Sequence, residues 1–449
     1  MAVHTRAITR RRASVAGVYW LASGLATALA LAAALLALLQ PGDGAGRAGV
    51  DAAAETSARG ARIAFFEQRL EADPFDVTAL NVLTFEYIAR ARESGDAADY
   101  GRALEASGRS LAALPRYEPS LVAAAAARIS VHDFAAGLEL ADRALAARPR
   151  SGAGHALRGD ALIALGRYDE AEAAYQEALA LAPGVGTFAR MAHLSFLRGD
   201  VANAADFWKQ AIAAARGHSA IDEAWARVQF GALEFDRGRP GAAERAAAAA
   251  LRAHPGSAPA LALRARARAA RGDLDGAIAD YEAALASQPL LEYVIALGDA
   301  YAAAGRAASA DQSYALVDAI AALYRASGVN TDLSLAVYYA GHGRAAEALP
   351  LARQAYEAAP GVYAADALAW ALLNAGQPQE AAIYAAEALR LGTPDAALLY
   401  HAGMVEKALS NDARASNLLR RALATNPHFS LLEAPRARAA LAELEGRAR

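Results

Sequence analysis

GHALRGDALIALGRYDEAEAAYQEALALAP, residues 154–183, carries the pattern on which the fold turns. Gly159, Ala171 and Ala178 are small residues placed on two successive helical stretches, Gly166 lies between the stretches and Pro183 closes the second. Small side chains let two antiparallel helices approach closely, and the larger apolar residues around them fill the remaining gaps. Glycine takes the tight turn, while proline cannot continue a helix. Outward from this stretch, prolines recur at Pro115, Pro149, Pro183, Pro255, Pro289, Pro360 and Pro427, and three of the gaps are 34 residues long. A fixed period of this size is the mark of a repeat array in which each unit leans only on its neighbours.

Composition agrees with closely packed helical layers. Apolar residues make up 55% of the 449, with alanine the commonest, and aromatic residues only 7%, so sandwiches and barrels lack the bulky strand formers they need. The 45 basic and 48 acidic residues are interspersed and leave a net charge of −3, which is no nucleic-acid footprint. The chain has no cysteine, which excludes disulfides, thiolate metal sites and cysteine nucleophiles. Its nine histidines form no HExxH or i,i+4 pair, and no glycine-rich phosphate loop follows a strand. Paired carboxylates such as Asp222-Glu223 sit at helix starts, where they favour the positive dipole end. No catalytic residue, metal or cofactor is expected, and the chain does not read as an enzyme.

Gly159, Gly166, Tyr168, Ala171, Tyr175, Ala178 and Pro183 fall at positions 8, 15, 17, 20, 24, 27 and 32 of a tetratricopeptide repeat. The chain thus resembles that family, in the style of its bacterial membrane-anchored members. The resemblance implies an all-α, right-handed superhelical solenoid of helix-turn-helix repeats, preceded by one N-terminal transmembrane helix. Units are expected at 77–115, 118–149, 152–183, 185–216, 224–255, 258–289, 291–325, 329–360, 362–393 and 396–427, within an array spanning 61–427. A degenerate opening helix over 62–74 and a closing helix within 428–449, polar on its outer face, complete it. The unit from 291 lacks its terminal proline, which predicts a longer second helix.

The N-terminus reads as a membrane address. Arg6, Arg10, Arg11 and Arg12 lie in a basic tail over 1–14, ahead of an apolar run from Val15 to Leu39. Those 25 residues suffice to cross a hydrocarbon core of about 30 Å. Basic residues beside a span stay cytoplasmic. This predicts a single-pass cell-membrane protein with residues 15–39 in the bilayer, a flexible linker over 40–60 and the array outside the cytoplasm; the alternative is export after cleavage near Gly44-Ala45-Gly46.

By resemblance, positions 2, 5, 9, 12 and 13 of each first helix face a concave groove. On this chain they give Asp160 and Ile163, His193 and Phe196, Trp225 and Phe235, Arg266, Asp299, then Asp366, Trp370 and Asn374, and finally Tyr400, Met404 and Lys407. Trp370, Tyr400 and Met404 are expected to form an aromatic, adaptable patch of the kind that anchors peptides. A clamp for acidic chain ends is not expected, because Lys407 is the only lysine at a groove position. The function predicted is a membrane-anchored scaffold that binds a protein or peptide partner in an envelope-associated assembly. The alternative is an accessory ligand-binding subunit of a polysaccharide or transport system. Nucleic acid is not expected as a partner, and oligomeric state is not legible in the sequence.

Overall fold

The computed structural model describes residues 48–447, and every regular element among them is helical. A lone helix α1 (Ala48–Ala72) leads into unit 1, formed by α2 (Val77–Ser94) and α3 (Ala98–Ala113). Units 2 to 5 are α4 (Glu118–Ser130) with α5 (Phe134–Ala147), α6 (Gly152–Ala164) with α7 (Tyr168–Leu181), α8 (Val185–Leu197) with α9 (Val201–Ala215), and α10 (Ala220–Asp236) with α11 (Pro240–Ala253). Unit 6 pairs α12 (Ala258–Ala270) with α13 (Leu274–Ser287), and unit 7 sets α14 (Leu291–Ala303) against α15 (Ala307–Tyr314) and α16 (Val317–Ala326). Units 8 to 10 are α17 (Asp332–Gly341) with α18 (Ala345–Ala358), α19 (Val362–Asn374) with α20 (Pro378–Ala388), and α21 (Ala396–Ala408) with α22 (Asp412–Thr425). A second lone helix, α23 (Glu433–Arg447), closes the array.

The all-α repeat solenoid is as expected, with four corrections. The membrane span expected at 15–39 and the tail at 1–14 lie outside the described residues, among which no helix is long and apolar enough to cross a membrane. A transmembrane helix ahead of the array, and with it a single-pass location with the array outside the cytoplasm, is therefore withdrawn. Residues 48–60, expected as linker, belong to α1. Tertiary contacts hold that helix in place: Arg59 pairs with Glu86 and Glu93 on α2, and Glu55 accepts from Ser219 Oγ and the Ala220 amide at the start of α10. The second helix of unit 7 is not extended but broken at Ala315-Leu316, which lets Val317 and Ala321 turn fully into the core.

Within a unit the small positions do what their spacing predicts. A Cβ on Gly159 would lie 2.2 Å from the Tyr175 ring, and one on Gly298 would lie 2.4 Å from the Tyr314 ring. Ala171 and Ala178 are fully buried against the facing helix. Gly166 holds φ +71° in the inter-helix turn, and His132 adopts φ 65° at the corresponding turn of unit 2, a conformation uncommon for a residue with a Cβ.

The fourth correction concerns long-range contacts. Units do not lean only on their neighbours, because the ribbon coils until the inter-helix turns of units 1 to 5 meet the junctions five units further on. Gln288 Nε2 donates to Arg92 O, His132 Nδ1 donates to Asn330 O, and the Val362 amide donates to Tyr168 Oη, at sequence separations of 196, 198 and 194. Thr393 Oγ1 donates to Leu197 O and Asn426 Nδ2 to Phe235 O, at separations of 196 and 191. A separate long-range contact, Glu55 of α1 with Ser219, ties the N-terminal helix to the start of unit 5. The turns of units 1 to 5 therefore form a continuous seam with the junctions that end units 6 to 10.

Candidate partner-binding surface

Coiling decides which side chains a partner could reach. Inward-facing residues of the first helices such as His193 and Tyr363 are exposed, yet burial shifts their titration. Burial lowers the His193 pKa, with Asp160 pulling the other way. Tyr363 is 37% exposed, yet its phenol is pushed up by burial and by Asp395, Asp236 and Asp366, which come from units 5, 9 and 10. Burial, reinforced by Asp236, also pushes the Asp395 carboxyl up to about 6. Asp236 itself is raised by burial, with Arg266 opposing.

Ion pairs between successive units organise this inner wall. Asp160 accepts from Arg190 Nη2 at 2.7 Å and from Tyr175 Oη at 2.8 Å. Arg266 pairs with Asp236 at 3.1 Å and lies 4.0 Å from the centre of the Phe235 ring. Asp299 accepts from Tyr314 Oη at 2.7 Å and faces His342 Nε2 at 3.0 Å. Toward the C-terminal end, buried His401 sits between Asp366 at 2.8 Å and Glu433 of α23 at 3.4 Å. Burial alone would lower its pKa, but the two carboxylates outweigh that and raise it. Trp370 stacks on the His401 ring at 4.2 Å.

The residues expected in the groove divide accordingly. His193, Asn374 and Trp225 are exposed, the last packing edge-on against Trp208 at 5.7 Å. Asp160, Arg266, Asp299 and Asp366 are drawn into the ion pairs above, and Lys407 is held by Glu443 of α23 at 2.5 Å. Phe196 and Met404 are half-buried against apolar clusters. Trp370 and Tyr400 are 5% and 1% exposed, so the expected aromatic anchor patch is core instead. Both rings pack around His401, which is what removes them from the surface.

Arg190, Asp236, Tyr363, Asp395 and His401 escaped the sequence reading. The Asp160–Arg190 and Asp236–Arg266 pairs share a separation of 30, a signal of repeat-to-repeat pairing that a search at that offset could find. Two recesses open beside the wall. One of about 780 Å³ is lined by Tyr314, Tyr338, His342, Arg344, Asn374 and Arg436. A smaller one of about 170 Å³ lies between Phe235, Arg266, Asp299 and the segment His428–Leu431. Among the described residues no group of histidine and carboxylate side chains has the geometry of a metal site.

Two stretches match family models described as tetratricopeptide repeat, residues 152–185 and residues 229–292. The chain carries tetratricopeptide repeats in these two stretches. Solved structures similar to it include a tetratricopeptide repeat protein from Parabacteroides merdae, 17% identical over 58% of this chain and 98% of that one, with a TM-score of 0.35. A thermophilic repeat protein from Thermus thermophilus is 22% identical over 40% of this chain and 94% of its own, with a TM-score of 0.34. Yeast Tom70 is 13% identical over 88% and 94%, with a TM-score of 0.38. No curated protein matches the chain. The tetratricopeptide ribbon seen here thus rests on its own helix pairs and on the two matched stretches.

Proposed function

We propose that this tetratricopeptide array is a scaffold that holds a protein or an extended peptide against the inner face of its coils. The observation that carries the reading is the set of accessible polar and aromatic groups there, His193, Tyr363 and Asn374, together with Trp225 on the same series of first helices. Such side chains combine contact area with hydrogen-bonding capacity, the mix favoured at protein interfaces. The ion pairs beside them are satisfied within the wall and act as a rigid frame. The envelope setting expected from the N-terminal run is dropped from this reading.

The test is photo-crosslinking in the native cell, with a photoreactive residue in place of His193, Tyr363 or, as an outward-facing control, Gln176. Partner adducts at the two inner positions and none at Gln176 support the proposal. Equal labelling of all three, or none at the inner positions, overturns it. Adducts to polysaccharide rather than protein would favour the accessory ligand-binding reading instead.

A further inference from the structure

The seam leaves two edges of the ribbon unused. At the turns of units 1, 3, 4 and 5, a Cβ on the left-handed glycine would meet the junction of a later unit: Gly95 meets Gln288, Gly166 meets Pro360 O, Gly199 meets Gly392 O and Gly238 meets Thr425 O, all within 3.1 Å. At the turns of units 6 to 9, Gly272, Gly305, Gly343 and Gly376 hold the same left-handed backbone, and among the described residues a Cβ there would meet nothing within 4 Å. The junction side shows the complementary pattern. Pre-proline residues Gln288, Thr393 and Asn426 are 3%, 3% and 1% exposed beneath a turn, whereas Leu114, in the same place ahead of Pro115, is 46% exposed. Arg148 and Ala182, ahead of Pro149 and Pro183, are exposed too. Large apolar groups stand in the open beside them, with Phe75 at 78% and Tyr117 at 47%.

At the N-terminal end of the described array α1 leaves Phe65 55% exposed, and at its C-terminal end lies α23. It continues the series by packing on unit 10, where Glu433 reaches His401 and Glu443 reaches Lys407.

We propose that the free edges are one interface, and that its occupant is a second copy of this chain stacked head to tail. In that arrangement the open junctions of units 1 to 3 of one copy seat on the open turns of units 7 to 9 of the next. The contact repeats between chains the geometry that the seam already makes five times within one chain. Being heterologous, it leaves a new pair of free edges after each addition, so it builds open coaxial stacks rather than closed rings. The exposed Leu114 and Tyr117 supply the apolar area there, where the internal seam uses side-chain amides and hydroxyls.

Sedimentation velocity of the full chain over a concentration series tests this, using two double variants. Leu114→Asp with Tyr117→Asp spoils the junction edge, and Ala308→Arg with Ala346→Arg spoils the turn edge at exposed positions. The wild type is expected to grow beyond dimer with concentration. Each variant alone stays monomeric, and an equimolar mixture stops at a heterodimer because one good edge of each kind remains. A wild type monomeric throughout, variants that associate like wild type, or a mixture that forms no heterodimer overturns the proposal. An independent readout does not depend on those variants folding. The chain has no cysteine, so Tyr117→Cys mixed with Arg306→Cys should oxidise to a mixed disulfide dimer in excess over either homodimer, and no such excess overturns head-to-tail stacking.

Discussion

Thr393 donates its hydroxyl proton to the carbonyl of Leu197, 2.7 Å away and 196 positions earlier in the chain. Leu197 is the last residue of α8, so its carbonyl has no partner within its own helix. Successive coils are thus tied by groups that the helices themselves leave unsatisfied. Thr393→Val removes the donor at nearly constant volume and is expected to cost about 1–2 kcal/mol. Hydrogen exchange should show the loss both near 192–200 and near 389–398. Loss on one side alone would mean the coils are not coupled there.

A pair of identical substitutions isolates the seam. Gly166 and Gly376 hold φ +71° and +77°, so alanine at either strains the backbone by about 1–2 kcal/mol. At Gly166 the new Cβ would also lie 2.4 Å from Pro360 O, whereas at Gly376 it meets none of the described residues within 4 Å. Gly166→Ala should therefore destabilise by about 1–3 kcal/mol more than Gly376→Ala. Denaturant midpoints of the two variants decide it, and equal midpoints would place no packed contact at that turn.

Alkaline pH should release the closing helix. The His401 pKa is raised in the folded chain because, despite burial, Asp366 and Glu433 favour its charged form. The resulting stability is fully present below the unfolded histidine value of about 6.5 and is lost as pH rises through the higher folded value. Exchange protection of α23 is expected to fall across that window. His401→Gln should flatten the dependence, and a dependence that persists unchanged would assign it elsewhere.

The same sign holds for a carboxyl group in the acidic range. Asp395 is raised to about 6 by burial and by Asp236, so the proton is bound more tightly in the folded state. Stability from this group falls as pH rises from about 3.9 toward that value. Asp395 caps α21 by accepting from the Ala397 and Leu398 amides, a role that asparagine also fills. Asp395→Asn is expected to raise Tm by about 2–4 °C at neutral pH and to match wild type near pH 4. A lower Tm at neutral pH would show that the carboxylate charge is favourable at the cap.

How much was legible in the residues varies with range. The Gly159–Tyr175 contact lies within one unit, and the period that places both residues is visible in a 30-residue stretch. Position within a unit predicted that Trp370 and Tyr400 would face a groove, yet His401 and Glu433 draw both rings inward. That arrangement needs side chains from two units and the closing helix, and nothing in a single repeat's pattern encodes it. Residues 48–60 misled for a related reason, since their helix is held by Glu86, Glu93 and Ser219, all distant in sequence.

By itself the sequence determined the helix pairs, their turns and the small residues that let them close, because those depend on spacing within about one repeat. Only the tertiary structure decided how tightly the ribbon coils, since that angle sums small rotations over five units and is stabilised by contacts nearly 200 residues apart. That coiling determines which groove residues meet water, which become core, and which edges of the ribbon are left for another molecule.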